Sequence, residues 1–172
     1  GIKPDLLTCA KQMSSAYFPI GAVMLTDPIY EAFVKNSRKL GVFGTGNTYG
    51  GHPVAAAVAL ETLKIYEEDD ILRHVSDVSL HFQKRLTGLA DHPLVGEARG
   101  VGLIGGLEIV ANKRTRKQFP ATSKASMTAT EKILDQNLIL RPLPGDVIGI
   151  CPPLIITEQE IDYIFDRTMR GL

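Results

Sequence analysis

Three segments of the chain carry residue types and spacings from which chemistry can be built. In the first, Thr8-Cys9-Ala10-Lys11-Gln12-Met13-Ser14-Ser15, a lysine follows an apolar run and enters a stretch rich in Ser, Gly, Pro and Tyr. A lysine just past a strand end in an α/β sheet faces the crevice where such folds take ligands. In a partly desolvated pocket a lysine amine gives up its proton more easily and serves as a nucleophile, for instance in a Schiff base. Most lysines are solvated surface groups, and position alone leaves Lys11 open to that plainer reading. The second segment, Gly44-Thr45-Gly46-Asn47-Thr48-Tyr49-Gly50-Gly51-His52-Pro53, runs into a helical pattern. Glycines let backbone N–H groups approach an anion, a helix N-terminus favours negative charge, and Thr48 adds a hydroxyl donor, which together suit a phosphate. A plain glycine-rich connection has the same composition. The third is Arg141 in Leu138-Ile139-Leu140-Arg141-Pro142-Leu143. An arginine at the end of an apolar strand, locked by the proline, is set for bidentate carboxylate binding, or for an ordinary surface ion pair.

The remaining candidates are structural on their types. His52 precedes Pro53 at a helix start and reads as a packing or hydrogen-bonding residue. Cys9, in an apolar strand, reads as inert. Arg99-Gly100-Val101-Gly102 reads as a tight connection into a strand, and Glu67-Glu68-Asp69-Asp70 as a solvated acidic run. No Gly-Lys-Ser/Thr follows the glycine-rich loop, no dinucleotide fingerprint occurs in a strand–helix setting, and neither Gly-x-Ser-x-Gly nor His-Glu-x-x-His is present. No glycosidase-like carboxylate pair and no metal-ligand spacing stands out. The residues by themselves lead as far as a lysine beside an anion site.

The elements that must position these groups follow from periodicity and punctuation. Residues 5–9 and 22–25 are short apolar runs that read as buried strands, separated by a loop over 12–22. Asp27 reads as the N-cap of a helix near 28–35, with Pro28 at its first position. Residues 41–51 hold five glycines in eleven positions and read as a loop. A helix is expected from Pro53 to Glu67, its Ala-rich start suited to close packing on a sheet. Over residues 70–90, Ile71, Leu72, Val75, Val78, Phe82, Leu86 and Leu89 mark one helical face. Strand-like pieces follow at 103–110, 138–142 and 147–151, with a helix over 123–136. Thr157 and Glu160 form a capping box that opens a final helix. A boundary near residue 70 divides part of an α/β layer domain (1–70) from a smaller α+β unit (71–172).

Composition bounds the rest. The 172 residues carry 19 Lys+Arg against 19 Asp+Glu, so net charge is zero and a dedicated nucleic-acid binder is disfavoured. Hydrophobic residues at 44% and charged residues at 22% suit a folded domain rather than a disordered one. No apolar run approaches a membrane span. The N-terminal residues lack the pattern of a secretory signal, and two distant cysteines, Cys9 and Cys151, suit a reducing compartment; a cytoplasmic protein is expected.

Taken together and in order, the segments resemble the class III (omega) aminotransferases, pyridoxal-phosphate enzymes of fold type I. Lys3-Pro-Asp-Leu-Leu-Thr-Cys-Ala-Lys11-Gln-Met-Ser-Ser-Ala-Tyr-Phe-Pro-Ile-Gly-Ala-Val is similar to the lysine segment of that family. Gly46-Asn-Thr48-Tyr-Gly-Gly-His-Pro, Val95-Gly-Glu-Ala-Arg-Gly-Val-Gly-Leu, and Leu140-Arg141-Pro-Leu-Pro-Gly-Asp with Pro152-Pro153-Leu-Ile-Ile-Thr resemble later segments. The resemblance implies the C-terminal part of the large cofactor-binding domain followed by the small domain. It implies that Lys11 forms the Schiff base with pyridoxal 5'-phosphate and then acts as general base and acid. It further implies that Thr48 binds the cofactor phosphate in the neighbouring subunit's site of a homodimer, and that Arg141 binds the substrate carboxylate. The implied reaction moves an amino group from an amine or omega-amino acid to a keto acid such as pyruvate. In that family the aspartate that holds the pyridinium nitrogen, a glycine-rich phosphate segment and a ring-stacking aromatic precede the lysine, and Asp5 does not match that aspartate. A chain of these residues alone is therefore expected to have little or no activity. A non-catalytic dimerisation module and a related aminomutase are the alternatives.

Overall fold

The computed structural model describes all 172 residues, which divide into two units, Gly1–Asp69 and Asp70–Leu172. In the first unit β1 (Leu6–Ala10) pairs antiparallel with β2 (Gly21–Leu25), in a register from Leu6 opposite Leu25 to Ala10 opposite Gly21. These strands were expected to be buried. Instead Leu6, Leu7, Val23 and Met24 are exposed, because a two-stranded ribbon has no layer of this chain packed on its faces. Helix α1 (Asp27–Leu40) is longer than the 28–35 expected from its sequence, and its N-cap is Thr26 rather than Asp27. Asp27 instead sits in the first turn, where a carboxylate favours the positive end of the helix dipole, while Arg38 and Lys39 occupy the last turn. Gly41, at φ 74°, ends the helix in the left-handed conformation that glycine tolerates. Helix α2 (Pro53–Glu68) starts on a proline, whose missing N–H costs nothing at that position.

In the second unit α3 (Ile71–Gly88) precedes β3 (Val95–Val101) and β4 (Ile104–Ile109). Then come α4 (Ala125–Leu134), β5 (Arg141–Leu143), β6 (Val147–Ile150) and α5 (Glu158–Gly171). The four strands form an antiparallel sheet in the order β3-β4-β6-β5. Arg99, Gly100 and Val101 belong to β3 and only Gly102, at φ 57°, makes the turn, so the expected connection is mostly strand.

The buried face of this sheet meets α3 and α4, and α5 packs against both helices in the same core. Phe82 and Phe165 lie edge to face, with ring centroids 5.1 Å apart, among Leu86, Leu107, Ile148 and Ile161. Gly100 and Gly105 face each other across β3 and β4, and the space left by their missing side chains takes Leu86; a Cβ at Gly105 would sit 3.0 Å from Leu86 Cδ1. Along α3 the apolar stripe is as expected except at Leu72, which is 73% exposed. A 2.8 Å contact of His81 Nε2 with Asp162 and an ion pair of Arg85 Nε with Asp162 (3.2 Å) join α3 to α5 at the rim.

Candidate active site

Lys11 is the first residue beyond β1 and has a left-handed backbone, φ 63°. Ser15 and Ala16 share that conformation, so three non-glycine residues in six occupy a sparsely populated region. The loop holds this shape through its own hydrogen bonds. Ser14 N donates to Lys11 O (3.2 Å), Tyr17 N to Ser14 O (2.9 Å), and the Ser14 hydroxyl to Phe18 O (2.5 Å). Ser14 is 1% exposed, and its short side chain satisfies the carbonyl of half-buried Phe18. Cys9 Sγ lies 3.4 Å from Met13 Sδ across the strand-to-loop corner.

Helix α2 buttresses the loop. Its buried stripe, Ala55, Ala59 and Thr62, follows the three-and-four spacing of one helix face, and Tyr66 continues it. The Tyr66 hydroxyl donates to the carbonyl of Gln12, the residue after Lys11, at 3.1 Å. At the helix start the His52 ring packs between Phe18 (5.2 Å) and Tyr49 (6.0 Å). Helix α2 therefore braces the lysine loop through Tyr66 and through His52 at its start. Sequence reasoning passed over Tyr66 and Phe18. The signal for Tyr66 was its place four residues beyond Thr62 on the stripe; for Phe18 none was available, since the contact spans thirty-four positions.

Thr48 lies in the turn closed by Gly50 N donating to Asn47 O at 2.8 Å. The backbone turns on into α2 through Gly51, at φ 70°. Thr48 and Lys11 are both exposed, so this chain does not build the desolvated pocket that the lysine chemistry calls for. The candidate donors in the first unit are thus the Lys11 amine, the Thr48 hydroxyl and the N–H groups of a glycine-rich turn at a helix start.

Arg141 belongs to the second unit. It begins strand β5 instead of ending one, because residues 138–140 have no pairing partner and the ladder with β6 starts at Arg141 opposite Gly149. Glycine at the facing position places no side chain beside the guanidinium. Arg141 takes no part in the ion pairs of the chain. It lines a groove of about 730 Å³ with apolar walls that include Leu138, Ile150, Pro153 and Ile164. A cation on an apolar wall, free of internal carboxylates, suits the carboxylate of a small amphiphile. No group of three or more His, Cys, Asp or Glu side chains is arranged to hold a metal ion, and no helix is long and apolar enough to cross a membrane.

Comparison with known proteins places these features in one family. The family model for class III aminotransferases matches residues 1–172. A probable gamma-aminobutyrate transaminase 3, mitochondrial, from Oryza sativa subsp. indica is 42% identical over 166 residues, covering 96% of this chain and 32% of that protein. An uncharacterized aminotransferase from Sinorhizobium fredii is 39% identical, over 95% of this chain and 36% of its own length. The chain thus spans about a third of the length of these relatives. Among solved structures, a transaminase with L-alanine superposes with TM-score 0.94 at 43% identity, over 98% of this chain and 40% of that one. The omega transaminase from Pseudomonas jessenii in complex with PMP gives 0.93 at 38% identity, over 98% and 37%. The α/β fold is that of part of a pyridoxal-phosphate-dependent transaminase, and the chain belongs to the class III aminotransferase family.

Proposed function

We propose that this chain contributes the amine, a phosphate donor and the carboxylate-binding arginine of a pyridoxal-phosphate-dependent aminotransferase. The reaction would move an amino group from an amine or omega-amino acid to a keto acid such as pyruvate. The observation that carries this reading is Lys11, held in a left-handed conformation at the end of β1 by a loop with four internal hydrogen bonds. Strain of this kind persists where the surroundings overdetermine it, and it collects at ligand sites.

The donor set fits the cofactor: a primary amine matches an aldehyde, and hydroxyl and backbone N–H donors match a phosphate. When bound, pyridoxal phosphate supplies the electron sink that makes the substrate carbon acidic. Lys11 holds it through Nζ and, once released, carries the proton as base and then as acid. Thr48 Oγ1 donates to the phosphate, in the partner's site of a homodimer with shared active sites. The Arg141 guanidinium orients the substrate by its carboxylate. We assign the 1–69 unit to the large cofactor-binding domain and the 70–172 unit to the small one. Two free cysteines favour a cytoplasmic protein, although several relatives are named as mitochondrial or chloroplastic.

The test is intact-protein mass spectrometry after incubation with pyridoxal phosphate and borohydride, followed by peptide mapping. A phosphopyridoxyl adduct confined to Lys11 is expected once a partner copy or the remainder of the enzyme encloses the exposed lysine. The exposure of Lys11 and Thr48 favours a second reading, a dimerisation module of the same fold without catalysis. That reading requires labelling scattered over surface lysines, or none.

A further inference from the structure

We propose that His52 is a positioning residue that makes the Lys11 loop and the Thr48 turn one mechanical unit. This inference rests on the reading above for what Lys11 and Thr48 do, and on the structure for how they are joined.

A continuous path of contacts links the two. Lys11 O accepts from Ser14 N, and buried Ser14 donates its hydroxyl to Phe18 O. The Phe18 ring packs on the His52 ring, which packs in turn on Tyr49, the neighbour of Thr48. His52 N donates to Tyr49 O at 3.3 Å, and His52 O accepts from Ala56 N at 3.0 Å, so the ring is mounted on the first turn of α2. The ring caps nothing: the His52 side chain makes no capping hydrogen bond. Its Nδ1 is buried without a partner. A ring nitrogen shut away from water without a hydrogen bond is costly, so shape and stacking keep it there. The Tyr66 hydroxyl on Gln12 O fixes the same loop to the far end of the same helix. A phosphate taken at the Thr48 turn would therefore order the loop that presents Lys11. In a homodimer where Thr48 serves the partner's site, the stack would join one site to the other.

Contact along a path is not coupling until a change at one end is read at the other. The test is hydrogen–deuterium exchange on the full chain with Phe18→Leu, Tyr49→Leu and His52→Phe. Phe18→Leu should speed exchange in residues 47–50, and Tyr49→Leu should speed it in residues 12–18. Each effect should be about 2- to 10-fold, the range of one aromatic contact. His52→Phe keeps a ring and removes the orphaned nitrogen, and should leave both segments protected as in the wild type. Borohydride-fixed labelling of Lys11 by pyridoxal phosphate should slow in the two leucine variants and not in His52→Phe. Exchange that rises only in the mutated segment overturns the proposal, and so does loss of protection in both segments of His52→Phe. If the wild type gives no Lys11 adduct, the reading of Lys11 as a cofactor amine in this chain by itself fails, while the exchange data still decide the coupling.

Discussion

The roles proposed for Lys11, Thr48 and Arg141 each depend on one feature of side-chain chemistry, and substitutions can separate those features. The Thr48 role needs a hydroxyl and not a methyl. Thr48→Ser should therefore retain affinity for pyridoxal phosphate, and Thr48→Ala should weaken it by about ten- to a hundredfold, the range of one hydrogen bond to a charged group. Equilibrium titration of cofactor absorbance reads this, and equal affinities would remove Thr48 from the phosphate site. The Arg141 role needs the planar fork. In the active enzyme Arg141→Lys should raise KM for a carboxylate-bearing donor by about tenfold or more, and leave a donor amine without a carboxylate unaffected. A uniform loss on both donors would mean that Arg141 supports the sheet instead. These residues stood out as candidates because their types are scarce in such settings: a lysine closing an apolar run, a threonine among glycines, an arginine before proline. Tyr66 and Phe18 were not, because what matters there is a contact across the chain.

Elements whose cause is local were read correctly from sequence, and those whose cause is a partner were not. The capping box of α5 is local: Thr157 Oγ1 accepts from Glu160 N at 3.3 Å, and Thr157 N donates back to the Glu160 carboxylate at 2.9 Å. The two bonds from Thr157, backbone first, hold the Glu160 carboxyl below its ordinary value. A carboxyl lowered in the folded state stabilises it above the unfolded value, and the contribution fades as pH falls through the folded one. Glu160→Ala should therefore lower the urea midpoint at neutral pH, and the gap from wild type should close in acid. A gap that stays constant with pH would mean that the ionised form is not the cap. Thr157→Ala should cost about 1 kcal/mol. The burial of β1 was misjudged because an apolar run records that a strand is to be covered, not by which residues. Leu72 was misplaced for a smaller reason: Ile71, Val75, Val78, Phe82, Leu86 and Leu89 trace the stripe, and Leu72 stands one helical step off it. Of the glycine pair under Leu86, Gly100 looked like a turn residue, while Gly105 fell in an expected strand. Gly100→Ala would press its methyl against Leu86 Cδ2, at 2.7 Å, and against the backbone carbonyl of Ile104. It should cost about 1–3 kcal/mol by urea unfolding.

Burial is unevenly shared over the whole molecule. Phe82, Leu86, Val95, Leu107, Ile133, Ile148, Ile161 and Phe165 are all at most 1% exposed, and all lie in the 70–172 unit. The 1–69 unit buries only small side chains, Ser14, Ala55, Ala59 and Thr62, while Leu6, Val23, Tyr30 and Phe33 remain open. Apolar burial is the main favourable term in folding, and a two-stranded ribbon with two helices does not supply enough of it to offset chain entropy. A polypeptide of residues 70–172 should therefore fold alone, with a cooperative urea transition and dispersed amide resonances. Residues 1–69 alone should show neither. In the full chain, amides of β4, β6, α3 and α5 should exchange slowest and those of β1 and β2 fastest. Protection of β1 and β2 should rise with protein concentration if a second copy covers them, because association stabilises only the state that binds. Equal protection of both units at low concentration would mean that the exposed faces of the first unit carry enough stability by themselves. The strained Lys11 loop would then need no partner to hold its shape, and the dimer would have to be argued from the shared site alone.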